Sequence, residues 1–450
     1  MPGLLYNNGD SATIRISAAN LVMTGNFGIS YQWRSDIPKD LLEHKDRFFI
    51  ENDQRQMFYS RWGDVNTLLF AIPELIRSPS NLRDTPDRVW YHNLFDVVLS
   101  SLIALYLALI ARRYGASPLT SFVFVASSLY GTFAWYHLRA QGYEICQLFL
   151  FTAFFFHFFA YLRNQKIRHF VAALVFVTTL ALSKSVYFLM FIPSLYLLRK
   201  QMRMALILMV TGAAACALHV ALVFYKTGLL LLSGEGGGTP ADMQDVWSFG
   251  HAPARLYEYT LDLHSSILWL FPPLLFAIPL YKKFSKSYPA ETFFIGSIAA
   301  MFGTLLLLFN SPGSNIGYGP RYALFALPVA AVPLILNRRG ALAVLATVTA
   351  VVAIFQWHVI ANVYFLKASL ESIVPHTEQE ASYVATHPDA LIAYEFDRFM
   401  AGKINFPLAE EMAKGFSPLT NDFNAEIRER FNQSMACNFY YKWFCPKRAI

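Results

Sequence analysis

FVAALVFVTTLALSKSVYFLMFIPSLYLL, residues 170–198, is the stretch on which the fold turns. Read as one helix kinked at Ser183-Lys184-Ser185, it crosses a bilayer once; read as Phe170–Leu182 and Val186–Leu198, it crosses twice and inverts the sidedness of everything downstream. The loops arbitrate, because Lys and Arg gather on the cytoplasmic side of a membrane protein. Alternate loops are rich in cations: Arg112-Arg113, then Arg163, Lys166 and Arg168, then Arg199, Lys200 and Arg203, then Lys282, Lys283 and Lys286, and last Arg338-Arg339. The loops between them carry Arg139, Lys184, Lys226 with Arg255, and Arg321. Two spans over 170–198 keep the alternation and one span breaks it, so two are retained.

Outward from this stretch, runs of about 20 apolar residues mark candidate membrane helices. Ten are found: Leu94–Ala111, Pro118–Tyr136, Tyr143–Leu162, Phe170–Leu182, Val186–Leu198, Met204–Tyr225, His264–Tyr281, Thr292–Phe309, Tyr322–Leu336 and Ala341–Ile360. Composition agrees: of 450 residues 55% are hydrophobic and only 15% charged, too apolar for an ordinary soluble globule. The net charge of +7 follows from the lysines and arginines of the loops. No basic helix or aromatic-basic motif accompanies it, which argues against nucleic acid as a partner. The expected fold is an all-α polytopic membrane protein whose main partner is the lipid bilayer.

Three regions follow: residues 1–93, a first extracytoplasmic loop; 94–361, the transmembrane helices; and 362–450, an extracytoplasmic tail. Residues 1–10 have neither a basic n-region nor an apolar h-region, yet 1–93 must reach the outer side, so a first helix upstream is expected. Ser11–Met23 has a polar side with Asp10 and Arg15 and an apolar side with Ile14, Ala18, Leu21 and Val22, the pattern of an interfacial helix. Asn66–Ile76 is far shorter than a span and Pro73 is expected to interrupt it, which points to an interfacial or re-entrant element.

Four cysteines are too few for a disulfide scaffold. Cys146 and Cys216 fall in spans, while Cys437 and Cys445 either close a small loop in an oxidising compartment or stay as two thiols. Gly234-Glu235-Gly236-Gly237-Gly238 lacks the lysine of a phosphate-binding loop and reads as a flexible outer loop. His157 and His219 read as core histidines, with no second ligand at metal spacing.

Chemistry is expected where polar groups meet the outer boundary: Asp10 with Arg15; Glu51, Asp53 and Arg55 followed by Tyr59-Ser60-Arg61-Trp62-Gly63-Asp64; His137 and Arg139 with Tyr143-Glu144; and Arg321-Tyr322. Acids and arginines at one membrane face suit a substrate with a phosphate at headgroup depth and a hydroxyl to be deprotonated. Helix-end arginines also serve as snorkelling anchors, and Asp10 also suits a helix cap. Lys184 stands between two apolar segments, where a charge is costly and implies a partner or a function.

The order of these segments resembles the GT-C glycosyltransferases, the integral membrane enzymes that include protein mannosyltransferases and bacterial aminoarabinose transferases. The resemblance is carried by GDSATIRISAANLVMTGNFGISY (9–31), SRWGDVNTLLFAIPEL (60–75), SLYGTFAWYHLRAQGYEICQLFLFTAFFF (128–156) and GYGPRYALFALPVAAVPL (317–334). It covers about a fifth of the chain, in the family's order. Many members have a double acid in the first loop; here Asp10 is followed by Ser11.

The resemblance implies transfer of a sugar from a polyprenyl-phosphate carrier to a lipid, glycan or protein acceptor on the outer face of the plasma membrane. Asp10 matches the first-loop acid that acts on the acceptor hydroxyl, and Arg321 matches the late-span arginine that faces the departing phosphate. Lys184 and Arg61 join it by depth and charge; Arg15, Glu51, Asp53, Tyr322, His137 and Arg139 complete the expected substrate contacts. No cofactor is required, although Glu51 and Asp53 have the chemistry to hold a divalent cation. The rivals are a transporter or flippase for a lipid-linked or anionic solute, and a non-catalytic assembly subunit. Against the transporter, the halves show no repeat and the charges cluster at one face, not at mid-membrane.

Overall fold

A lone charge flanked by serines is a poor continuation for an apolar helix, and the chain breaks there. In a computed structural model that describes residues 9–37, 42, 49–80, 82, 90–138, 142–228, 249–261, 266–308, 321–337 and 340–354, the helix before Lys184 ends at Ser183. Lys184 itself is extended, with φ −159° and ψ 127°. The helices are α1 (Gly9–Thr24), α2 (Asp64–Arg77), α3 (Trp90–Arg113), α4 (Pro118–Leu129), α5 (Glu144–Asn164), α6 (Ile167–Ser183), α7 (Phe191–Leu198), α8 (Met202–Thr227), α9 (Ala252–Thr260), α10 (Pro289–Leu308) and α11 (Gly340–Ile354). Shorter helical turns join them.

Among the described residues four helices are long and apolar enough to cross a membrane: Leu94–Arg113 within α3, then α5, α8 and α10. The protein is therefore a membrane protein. In their described parts the other six apolar runs are shorter or broken helices: Pro118–Tyr136 divides after Leu129, and Tyr322–Leu336 is a series of short turns with Leu327–Ala330 at its centre; 355–360 of the last run lie outside the described residues. The α5 window is 78% buried and the α8 window 17%, so α5 forms the axis of the bundle and α8 its rim. Around α5 the core is aromatic, with Phe294 of α10 against Phe151, Phe154, Phe155, Phe158 and Phe159.

Contacts sort the turns into two ends. At one end Arg163 pairs with Glu291 at 2.8 Å, Tyr114 donates to the same carboxylate at 3.3 Å, and Tyr161 donates to Gln201 at 2.6 Å. The cation-rich turns after α3, α5 and α7 meet there. At the other end Asn66 donates to the Ser183 carbonyl at 3.0 Å and Asp64 pairs with Lys226 at 2.6 Å. Because α6 begins beside Arg163 and α7 runs down to Gln201 at that same end, the chain reverses at Lys184.

The polar block on the Lys184 end departs from an all-helical expectation. Strands β1 (Ile29–Ser30), β2 (Phe49–Asn52) and β3 (Met57–Ser60) form an antiparallel sheet in the order β1-β3-β2. Ile16, Ala19, Ile29, Phe49 and Phe58 build a small second core between sheet and α1, while Ile14 and Ala18 on the other side of α1 join Phe70 and Ala71 of α2 in the main core. Two sequence expectations are corrected here. The α1 helix has no exposed polar side: residues 13–20 are all buried, Arg15 completely, because α1 is flanked on both sides. Nor does Pro73 interrupt its segment, since α2 runs through it from Asp64 to Arg77. Cys146 is buried and Cys216 half-buried, whereas Cys437, Cys445, the 234–238 glycines and the tail lie outside the described residues.

Candidate functional site

The site is assembled at the corner where β3 gives way to α2. A Cβ on Gly63 would stand 2.5 Å from the Ser183 carbonyl oxygen, so glycine is what lets the corner close on the end of α6. That carbonyl is one of those a helix C-terminus leaves without an internal partner. Asn66, in the first turn of α2, donates to it at 3.0 Å. On the other side the Lys226 ammonium, at the end of α8, bonds the Asp64 carboxylate at 2.6 Å and the Ser60 carbonyl at 3.2 Å, and Asn52 of β2 donates to the Lys226 carbonyl at 3.0 Å. Sheet, α2, α6 and α8 are thereby locked around Lys184.

Tyr59 reinforces the lock, edge-on to Tyr225 of α8 at 5.8 Å, and Arg55 lies over the Tyr225 ring at 3.9 Å. Burial first, and then the hydrogen bond to Tyr225, push the Tyr59 hydroxyl up to about 12. It stays protonated at any physiological pH.

Lys184 projects between two tyrosines, its Nζ 4.8 Å from the Tyr322 ring centre and 5.9 Å from that of Tyr143. Trp62 stacks on Tyr143 with ring centres 5.8 Å apart. Arg321 lies 4.9 Å from the Tyr322 ring, donates to its hydroxyl at 3.0 Å, and faces the buried Glu144 carboxylate at 3.5 Å. A close charge-assisted pair spans about 2.7–2.9 Å, so Arg321 and Glu144 are paired loosely. A small cavity of about 30 Å³ is lined by Arg61, Asp64, Ser183, Lys184, His219 and Lys226. Among the described residues the corner gathers the cations Arg61, Lys184, Lys226 and Arg321 beside the acids Asp64 and Glu144. Cations clustered in this way, with Lys184 and Arg321 set against aromatic rings, can attract an anion. Two residues beyond Arg321, Ala323 borders an apolar cavity of about 380 Å³ between α10 and the 321–330 turns, lined by Phe151, Leu274, Gly296, Phe302 and Phe325.

Of the residues expected from sequence, Lys184, Arg321, Tyr322 and Arg61 meet here; Arg61 is held by donation to the Phe49 carbonyl at 3.2 Å. Asp10 lies in the first turn of α1, and its side chain is outside the described residues, as is Arg139. Arg15 is enclosed within the fold, away from any open surface. Glu51 and Asp53 do not line the cavity: Ile50 does, and strand alternation turns Glu51 to the opposite, exposed side. Asp53 instead accepts from Tyr31 at 2.8 Å. His137 is buried edge-on to Phe133 at 5.8 Å.

Several members of the site had no assigned role in the sequence. Trp62, Asp64, Tyr143 and Glu144 stood out only as polar or aromatic neighbours, and Lys226 only as a loop cation; their pairings join segments far apart in the chain. His157 likewise gains a partner that spacing hid, since its Nδ1 lies 2.9 Å from Nδ1 of His169 on the adjacent α6. Among the described residues no group of three or more His, Cys, Asp and Glu side chains stands close enough to hold a metal ion. Compared with protein-family models, with curated proteins and with solved structures, the chain matches none.

Proposed function

We propose that the protein is a membrane glycosyltransferase of the GT-C kind, moving a sugar from a polyprenyl-phosphate carrier to a lipid, glycan or protein acceptor at the Lys184 end of the bundle, the extracytoplasmic side of the plasma membrane. The observation that carries this reading is the meeting of two groups at Lys184: Arg61, which lines the small cavity with it, and Arg321, which shares the Tyr322 ring with it. In the reaction the acceptor oxygen, losing its proton to the Asp10 carboxylate, forms a bond to the anomeric carbon. The bond from that carbon to the phosphate oxygen breaks, and polyprenyl phosphate leaves with the electron pair. Lys184 and Arg321 stabilise the charge that develops on the departing phosphate, where fixed cations in a site shielded from water act most strongly. Glu144 holds Arg321 in the resting state, and its loose pairing lets a phosphate compete for the guanidinium. The apolar cavity beyond Ala323 suits the first isoprene units of the carrier.

The test is release of free polyprenyl phosphate. Purified protein in lipid nanodiscs is given mixed polyprenyl-phosphate sugars with an envelope extract as acceptor, and carrier species are followed by mass spectrometry. Free polyprenyl phosphate accumulates with the wild type and falls to background with Lys184→Met. A transporter would leave the carrier-linked sugar intact in both, and that result would refute the proposal.

A further inference from the structure

Helix α2 is inside out. Its buried side carries Asn66, Thr67, Glu74 and Arg77, with the Arg77 guanidinium on Glu74 at 2.7 Å. Its outer side carries Leu68, Ile72, Leu75 and Ile76, which are 49, 48, 63 and 65% exposed. The spacing i, i+4, i+7, i+8 places these four on one continuous stripe. A helix on a water-facing surface is arranged the other way, with its apolar stripe to the core and its charges to solvent.

What covers the stripe is indicated by its neighbours. The α2 helix packs on α3 through Phe70 against Phe95 at 5.9 Å. From that level α3 begins its own outward apolar belt, with Leu94, Val97 and Val98 all exposed on a helix long enough to span a bilayer. The start of α2 is bonded to the ends of α6 and α8, and beside Lys226 at the end of α8 the rings of Phe224 and Tyr225 also face outward. Outward aromatics at the end of a span mark the membrane interface. The stripe on α2 thus continues the lipid-facing belt of the spans.

We propose that α2 lies in the leaflet on the Lys184 side, with Leu68, Ile72, Leu75 and Ile76 among lipid acyl chains, and that this insertion holds the Gly63–Asp64 corner at headgroup depth. The covering partner is phospholipid, and the contact is independent of the chemistry assigned to the site. A photo-crosslinking amino acid tests it in the full-length protein in native membranes: Leu75→p-benzoylphenylalanine and Ile76→p-benzoylphenylalanine, with Leu68 as a third position. Val97 serves as the reference on a span and Asp53 as the reference on the exposed turn after β2. After irradiation, mass spectrometry of the proteolysed chain is expected to find phospholipid adducts at 75, 76 and 97 and none at 53. Adducts at 75 and 76 to another polypeptide, a second copy included, or lipid adducts at 97 alone, would overturn the proposal.

Discussion

At the residue scale, Lys184 and Gly63 make separable predictions. Lys184→Met keeps the apolar stem between Tyr143 and Tyr322 and removes only the charge. Transfer is expected to fall roughly 100-fold, the usual cost of one electrostatic contact to a transition state, with thermal stability unchanged; a rate within about twofold of wild type would mean that Lys184 is a structural cation. In Gly63→Ala the new methyl meets a backbone carbonyl that cannot swing aside. A loss of about 1–3 kcal/mol is expected from such overpacking, read as a lower Tm in detergent. Gly296→Ala, with nothing within 4 Å of its new methyl, is the control and should change stability little. Lys184 was legible from sequence because a charge in an apolar run is costly wherever the chain goes. Glu144 was not assigned a role, because an acid at a helix start is equally a dipole partner until Arg321 is seen beside it.

At the element scale, the Asp64–Lys226 pair ties α2 to α8 with both side chains about nine-tenths buried. Removing one partner leaves a buried charge uncompensated, so Asp64→Leu alone should cost about 3–5 kcal/mol. The double variant Asp64→Leu with Lys226→Met should recover most of that, as a thermal-melt cycle would reveal. Equal losses in single and double variants would mean that the pair does not couple the two helices. The break between α6 and α7 was legible from the alternation of loop charge, which decided against a single helix kinked at Ser183-Lys184-Ser185. The sheet was not: β1 has only two residues, and its pairing with β3 depends on a partner 27 residues further on. The burial of α1 was hidden for a related reason. A helix enclosed by a sheet on one side and α2 on the other needs no water-facing side, and its polar residues then mislead a reading that assigns one.

At the scale of the whole molecule, the two ends differ in kind. One gathers the cation-rich turns and the Arg163–Glu291 pair; the other carries the small sheet and the Lys184 recess. By the bias of its loop charges the first is expected to face the cytoplasm. A membrane-impermeant amine reagent should therefore label Lys166, Lys200, Lys282, Lys283 and Lys286 in inverted vesicles and not in intact spheroplasts; the reverse pattern would turn the molecule over. Ten apolar runs were legible in the sequence, and among the described residues four are single helices of spanning length. Hydropathy counts residues and is blind to the breaks that Tyr130–Phe133 and Pro328 with Pro333 introduce. The most direct test of sugar transfer is mass spectrometry of envelope glycans from a deletion strain, complemented with the wild-type gene, with Asp10→Asn or with Lys184→Met. The account predicts that a sugar-sized mass is lost on deletion and restored by wild type but by neither variant. Identical glycans with and without the gene, or full restoration by both variants, would contradict it.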